Sequence, residues 1–401
     1  MLKLLPLASS FHSPDQVRST VARITGDLRS RGILHELRSS GPANALLIVT
    51  GGTEHLALQA LQDQRGPAFL LAHPDQNSLP AALEILSHLQ QRGQRGRIVL
   101  LHEQEDGFAT LKALAKHLEV HERLQTRRLG RIGAPSDWLV GSLQEPGLLQ
   151  AAWGPAVVDV PLAELRGAMA EASAERVAAI QEDFVAGACA IREPTAGDLN
   201  QAARVVAGLR RVIRDHRLDA CTVRCFDLVL ELKTTGCLAL SALLDEGVVA
   251  GCEGDLPAAM TMLWMQAVSG QPSFMANPQD LDTAANTLWL AHCTIARKML
   301  SQYTLRSHFE SGLGVGIQGE LEPGPYTLAR IGGSDLRALF VSDAALLRNG
   351  VSDLRCRTQV QLHLDETVGQ LLSRPLGNHH VLLSGHWAKE LRAYHELYVA
   401  K

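Results

Sequence analysis

Short, wholly apolar runs that stop at a turn and lead into a helix-period stretch constrain this chain most. Residues 45–50, Ala-Leu-Leu-Ile-Val-Thr, run into Gly51, Gly52 and Thr53 and then into helical periodicity. Residues 67–72, Pro-Ala-Phe-Leu-Leu-Ala, stop at His73 and Pro74; a helix-like segment over 79–92 follows, and 96–101 is the next apolar run. A strand without a polar face must be covered on both sides. A helix after each strand does this, which is the repeating unit of a parallel α/β sheet. The N-terminal Met1 to Ala8 reads as a first strand, because it meets Ser9, Ser10 and His12 too soon for a secretory apolar region.

A second series of such units opens near Arg131. Ser136 or Asp137 is expected to cap a helix through Val140, residues 157–160 read as a strand, and the Ala-rich 163–190 as one helix. A further helix is expected over 198–215 and a strand over 221–226. After about residue 270 strand-like runs alternate with turns, at 287–290, 324–330, 336–341, 356–364 and 381–384, which points to an antiparallel or barrel-like region. The expected fold is therefore α/β: two Rossmann-like α/β units, 1–128 and 129–270, then a mainly β, barrel-like segment, 271–401.

Charge and composition exclude several functions. The 401 residues carry 38 Lys and Arg against 42 Asp and Glu, a net charge of −4, so there is no basic excess for nucleic acid. The chain has no apolar run of about 18 residues, so no membrane span is expected. The seven cysteines, Cys189, Cys221, Cys225, Cys237, Cys252, Cys293 and Cys356, form no CxxC pair, which suits free thiols in a reducing cytoplasm rather than a zinc ribbon or a disulfide scaffold. Sixteen His stand beside 8 Phe, 5 Trp and 4 Tyr, and histidine is the common metal ligand and proton carrier.

Three segments hold the candidate chemistry. Glu253 and Asp255 lie in a Gly-rich turn before a helix that begins near Leu256 and Pro257, where acidic groups either cap the helix or serve a site. His292 follows the apolar run 288–291 at a strand end. His379 and His380 stand at a strand start, where adjacent side chains point to opposite faces, so at most one of them faces a given site. Glu253, His292 and one of that pair would make a mixed oxygen and nitrogen site for a divalent ion such as Mn²⁺. Gly312 to Gly316 lacks the strand-to-helix context and Lys-Ser/Thr ending of a phosphate loop, and Gly51-Gly52 fails the dinucleotide fingerprint.

Cys252-Glu-Gly-Asp-Leu-Pro-Ala-Ala259, Phe274-Met-Ala-Asn277, Ala291-His-Cys-Thr-Ile295 and His379-His380, followed by a helix near Ala388, resemble the L-fucose isomerase and L-arabinose isomerase superfamily, especially its short fucose-isomerase-like members. With Val49 to Glu54 and Arg224 to Leu228 the resemblance covers nearly the whole chain. It implies an aldose–ketose isomerase that works through an ene-diol, with Mn²⁺ or another divalent metal, on a monosaccharide or modified sugar. It implies Glu253 as metal ligand and proton-transfer carboxylate, His292 as ligand and His380 as the last ligand, with His379 structural or in contact with substrate. It also implies a homo-oligomer, a trimer or hexamer.

One departure matters: Asn277 stands where the family carries a second acidic ligand. An amide oxygen ligates but is no base at neutral pH. Either Asp255, Asp280 or Asp282 takes the role, or the chain is a sugar-binding protein without catalysis. Arg224, His308, Arg357 and Gln359 can present polar groups to a sugar or to an anionic substituent on it.

Overall fold

The computed structural model describes residues 1–64, 66–102 and 106–400; the other residues of the expected segments 1–128 and 271–401 lie outside the described residues. The chain divides into two compact units, Met1–Glu122 with Tyr394–Ala400, and Arg123–Ala393.

The first unit holds β1 (Leu2–Leu7), β2 (His35–Leu37), β3 (Ala45–Ile48), β4 (Ala68–Ala72) and β5 (Gly96–Leu100) in the order β2-β1-β3-β4-β5, every pair parallel. All residues of β3 and β4 are buried, as their lack of a polar face requires. Leu46, Ile48 and Leu70 pack with Ala82, Ile85 and Leu89 of the helix Ser78–Gln91, and each Leu or Ile so buried contributes about 2 kcal/mol. The helix Pro14–Ser30 opens on a capping box between Ser13 and Gln16, with proline in its first turn.

The second unit holds β6 (Arg128–Ile132), β7 (Ala156–Val160), β8 (Ala190–Ile191), β9 (Ala220–Val223) and β10 (Val249–Cys252), then β11 (Phe274–Asp282), β12 (Thr287–His292), β13 (Gln302–Arg306), β14 (Gly316–Glu320), β15 (Gly324–Gly332), β16 (Ala338–Gly350), β17 (Thr358–Leu364) and β18 (His380–Ser384). A parallel sheet has the order β10-β9-β6-β7. The strands β11-β12-β17-β16-β15-β18 close an antiparallel barrel, and β14-β13-β8 form a small sheet. Closure gives every barrel strand two neighbours, so no edge is left open. The α/β character and the barrel agree with the sequence reading.

Local departures have identifiable causes. Residues 163–190 form two helices, Leu162–Ala170 and Ala174–Ala186, because Ser173 caps the second through the Arg176 amide. The next helix, Ala196–Asp215, is capped by Thr195, with Asp198 as the reciprocal partner in its capping box. The strand over 221–226 stops at Val223, and Cys225 opens the helix Cys225–Leu232. No helix forms over 136–140; those residues make turns. Among the described residues no helix is long and apolar enough to cross a membrane.

Candidate active site

The site begins where β10 ends. Glu253 and Gly254 are consecutive left-handed residues, φ 64° and 73°, and turn the chain into Asp255 and the helix Leu256–Ser269. A left-handed glutamate costs about 1–2 kcal/mol, and the segment after β6 holds it there. The Ser136 amide donates to the Glu253 carbonyl at 2.8 Å, and a Cβ on Gly254 would lie 2.7 Å from Pro135 Cα. The bent backbone aims the Glu253 carboxylate toward the barrel. Its Oε2 accepts from Trp138 Nε1 at 2.6 Å, and its Oε1 lies 3.5 Å from His379 Nε2.

The barrel supplies the histidines. In β11, Ala276 pairs with His380 at the start of β18 and Asn277 pairs with Ala291 near the end of β12. His292 and His379 therefore flank one stretch of β11, their rings 5.8 Å apart. One ligating atom from each of Glu253, His292 and His379 lies within 4.8 Å of the others, and all three residues are buried. His380 is not in this group. Its ring lies beside Phe340, Nδ1 is 3.4 Å from the Asn378 carbonyl, and Nε2 is buried without a hydrogen-bond partner. The pair straddles the strand start, so His379 lies one residue outside the ladder and the pleat does not fix its direction.

Behind His379 runs a chain of fully buried charges. Asp255 accepts the Ala258 amide at 2.8 Å as the helix cap, His379 Nδ1 at 2.9 Å and Arg330 Nη1 at 3.1 Å. Arg330 donates on to Ser142 Oγ at 2.7 Å and to the Leu376 carbonyl at 3.3 Å. Burial disfavours the charged form of Asp255, but Arg330 and His379 outweigh it and hold the carboxyl well below its usual range. Burial likewise opposes the charge on His379; the Asp255 bond and the nearby Glu253 carboxylate win and raise the ring to about 9. Glu253 is lowered, since His379 and Trp138 overcome its desolvation. His292 is driven the other way, to about 3, by burial and by the charge of His379. The site thus pairs an ionised carboxylate with one neutral and one proton-rich imidazole.

The candidates for a second carboxylate do not reach the trio as bases. Asp255 spends its oxygens on the cap, Arg330 and His379. Asp280 pairs with Arg355 at 3.5 Å, and Asp282 caps a turn through the Ala284 and Ala285 amides. Asn277 has a buried Oδ1 with no hydrogen-bond partner. His308 is buried, its Nδ1 on Ser311 Oγ at 3.2 Å; burial and then Arg357 lower its pKa, and Glu253 opposes them, so it lies within the field of the site. Arg357 donates to the Ser307 carbonyl at 2.7 Å. Arg224 bonds the Pro135 carbonyl, Asp137 and Asp227, and lines a cavity of about 720 Å³ with Gly133 and Pro161. The Gln359 amide is taken up by Ser352 and the Cys356 carbonyl.

Two contributors were missed by the sequence reading. Trp138, 51% exposed, joins Glu253 to Phe226, with ring centres at 4.9 Å, and Phe226 meets His308 at 5.5 Å. An aromatic in a Gly-Ala-Pro-Ser-Asp context was the available signal. Arg330 was the other, a lone charge in the otherwise apolar Ala329-Arg330-Ile331.

No protein-family model matches the chain. It is 26% identical over 208 residues to a sulfoquinovose isomerase of Alkalicoccus urumqiensis, covering 49% of this chain and 46% of that protein. It is 22% identical over 225 residues to a sulfoquinovose isomerase of Clostridium sp. (strain MSTE9), covering 56% of this chain and 49% of that one. The chain spans about half the length of the curated relatives it matches.

Proposed function

We propose that this chain is a metal-dependent aldose–ketose isomerase of the fucose-isomerase-like group, acting on a monosaccharide or modified sugar. The buried convergence of Glu253, His292 and His379 carries the reading, and the sugar-isomerase names of its relatives support it.

The residues present fit a divalent cation. The Nε2 atom of His379 is buried without a hydrogen-bond partner and lies opposite an ionised Glu253, and an oxygen and nitrogen donor set suits Mn²⁺ or a similar ion. Glu253 and His379 would hold it, with His292 beside them and Asn277, whose Oδ1 has no partner, paired on β11 with Ala291 next to His292. The ion would supply Lewis-acid polarisation of two adjacent sugar oxygens.

Glu253 carries the proton. It is ionised, takes the proton from the carbon beside the carbonyl and returns it to the former carbonyl carbon as the ene-diol collapses, while the hydroxyl proton passes from one sugar oxygen to the other, so that no proton is gained or lost overall. With amide Asn277 in place of a second acid, one carboxylate serves both carbons. The Trp138 bond fixes Oε2 and so sets the direction from which Glu253 reaches the sugar. A half-exposed indole next to the base also excludes water from one side. His308 and Arg357 are the groups proposed for a substituent, and a sulfonated sugar is the finer reading that the relatives' name favours. A homo-oligomer and a cytoplasmic setting belong to the same proposal.

The test is metal analysis with a sugar panel that includes sulfoquinovose. Metal-dependent conversion of an aldose to its ketose, lost in Glu253→Gln, is expected. No metal in protein purified without chelator, together with no turnover of any sugar, refutes it.

A further inference from the structure

His379 and His292 are held by partners of opposite sense. At His379 the acceptor Asp255 takes Nδ1, so a proton resides there and Nε2 is the nitrogen whose lone pair a cation can claim. At His292 the Thr294 backbone amide donates to Nδ1 at 3.2 Å. A backbone N–H can only donate, so Nδ1 of His292 must be bare. A neutral imidazole has one proton, and it then sits on Nε2. With Nδ1 engaged by Thr294, Nε2 is the nitrogen left for a ligand.

We infer that His292 is a hydrogen-bond donor to an oxygen of the bound sugar, through Nε2–H, and leaves the cation to Glu253 and His379. This rests on the proposed isomerase reading and alters the role that the resemblance gives to His292. To ligate through Nε2 the ring would have to carry its proton on Nδ1, where it would meet the Thr294 N–H head on. That exchange turns a satisfied buried pair into two opposed donors. As a donor, the ring is already in the form the reaction uses. Negative charge builds on the sugar oxygen as the ene-diolate forms, and a neutral N–H set in a water-poor site stabilises it without rearrangement. It also answers the absent carboxylate in part: a site with one fewer anion leaves the oxygen more dependent on a second electrophile besides the cation.

The experiment titrates metal-free protein with Mn²⁺ by calorimetry for the parent, His292→Leu, His292→Gln, His379→Leu and Glu253→Gln. It also records the ring ¹⁵N shifts of His292 in the metal-free parent. The expected result is Mn²⁺ affinity within about threefold of the parent for both His292 variants, against losses of about 10–100-fold for His379→Leu and Glu253→Gln. Turnover should fall about 10²–10³-fold in His292→Leu and less in His292→Gln, which keeps an N–H. The ring shifts should report a protonated Nε2 and a bare Nδ1. Loss of Mn²⁺ binding in His292→Leu to the extent seen in Glu253→Gln overturns the inference, as does a proton on Nδ1. A parent that binds no Mn²⁺ and turns over no sugar refutes the isomerase reading instead, and the ring shifts alone then decide the His292 assignment.

Discussion

Replacing Asp255 by Asn perturbs the buried chain at the atom on which it converges. Oδ1 of Asp255 holds the Ala258 amide, and Oδ2 takes both Arg330 and His379. Asparagine can satisfy one side only. With its oxygen on Ala258 the cap survives, since Asn and Asp cap about equally well, but its NH₂ then faces two donors. Turned round, it accepts from Arg330 and His379 and points an NH₂ at the Ala258 amide, which costs about 1 kcal/mol of capping. Either way Arg330, 0% exposed, loses its counter-ion. Breaking a buried pair by removing one partner costs about 3–5 kcal/mol. His379 offsets part of this, because a ring without Asp255 gives up its own proton and so removes one of the two competing cations. The expected loss is about 3 kcal/mol in the unfolding free energy of the Arg123–Ala393 unit. Urea titration of the metal-free chain at neutral pH measures it, read through the buried Trp153 and Trp264, with the m-value unchanged. A loss under about 1 kcal/mol would mean that Ser142 and the Leu376 carbonyl suffice for Arg330, and the ion-pair argument fails.

Three further outcomes are expected. His379, raised to about 9, contributes stability that is fully present below its unfolded value of 6.5 and lost as pH rises through about 9, while depressed Asp255 contributes stability present above 3.8 and lost as pH falls. His292, held neutral with its pKa lowered to about 3, opposes this on the acid side, because the unfolded chain takes up its proton first as pH falls below 6.5; the unit should therefore be most stable near pH 6.5 and lose about 3 kcal/mol on the alkaline side, and thermal melts that stay flat from pH 6.5 to 9 would contradict this. Gly254→Ala puts a Cβ against Pro135 Cα and the Ala134 carbonyl at φ 73°, so it should cost about 3 kcal/mol or more and slow turnover; a stable, active variant would refute the clamp on Glu253. Trp138→Phe removes the 2.6 Å bond that helps hold Glu253 ionised, so the acid limb of the kcat/KM profile should move to higher pH and the rate fall about tenfold; an unmoved limb argues against the bond.

Elements whose cause is local were legible. The runs at 45–50 and 67–72 are strands because no face of them can meet water, and Asp255 caps its helix as an acidic residue before Leu256-Pro257 does. The turn at 251–255 admitted two roles in sequence: Asp255 caps the helix, and Glu253 turns its carboxylate toward His292 and His379. What stayed hidden depends on distance along the chain. Arg330 meets Asp255 across 75 positions and Trp138 meets Glu253 across 115, so neither pairing has a spacing to read. Which of His379 and His380 lies beside Glu253 and His292 was hidden for a different reason: the alternation rule applies inside a ladder, and His379 lies just before it. Ser173 broke an Ala-rich helix because one side-chain oxygen on a free amide outweighs small differences in propensity.

The candidate ligands come from two sub-structures of the Arg123–Ala393 unit, Glu253 from the end of the parallel sheet and His379 from the rim of the barrel. Any ion or substrate gripped by both would act as a rivet between layers otherwise joined by packing and by the bonds of Asp255 to Arg330 and His379. Occupancy then becomes a mechanical property of the scaffold: at a hundred times its Kd a ligand adds about 2.7 kcal/mol to the folded state, and here that increment would fall on the seam between sheet and barrel.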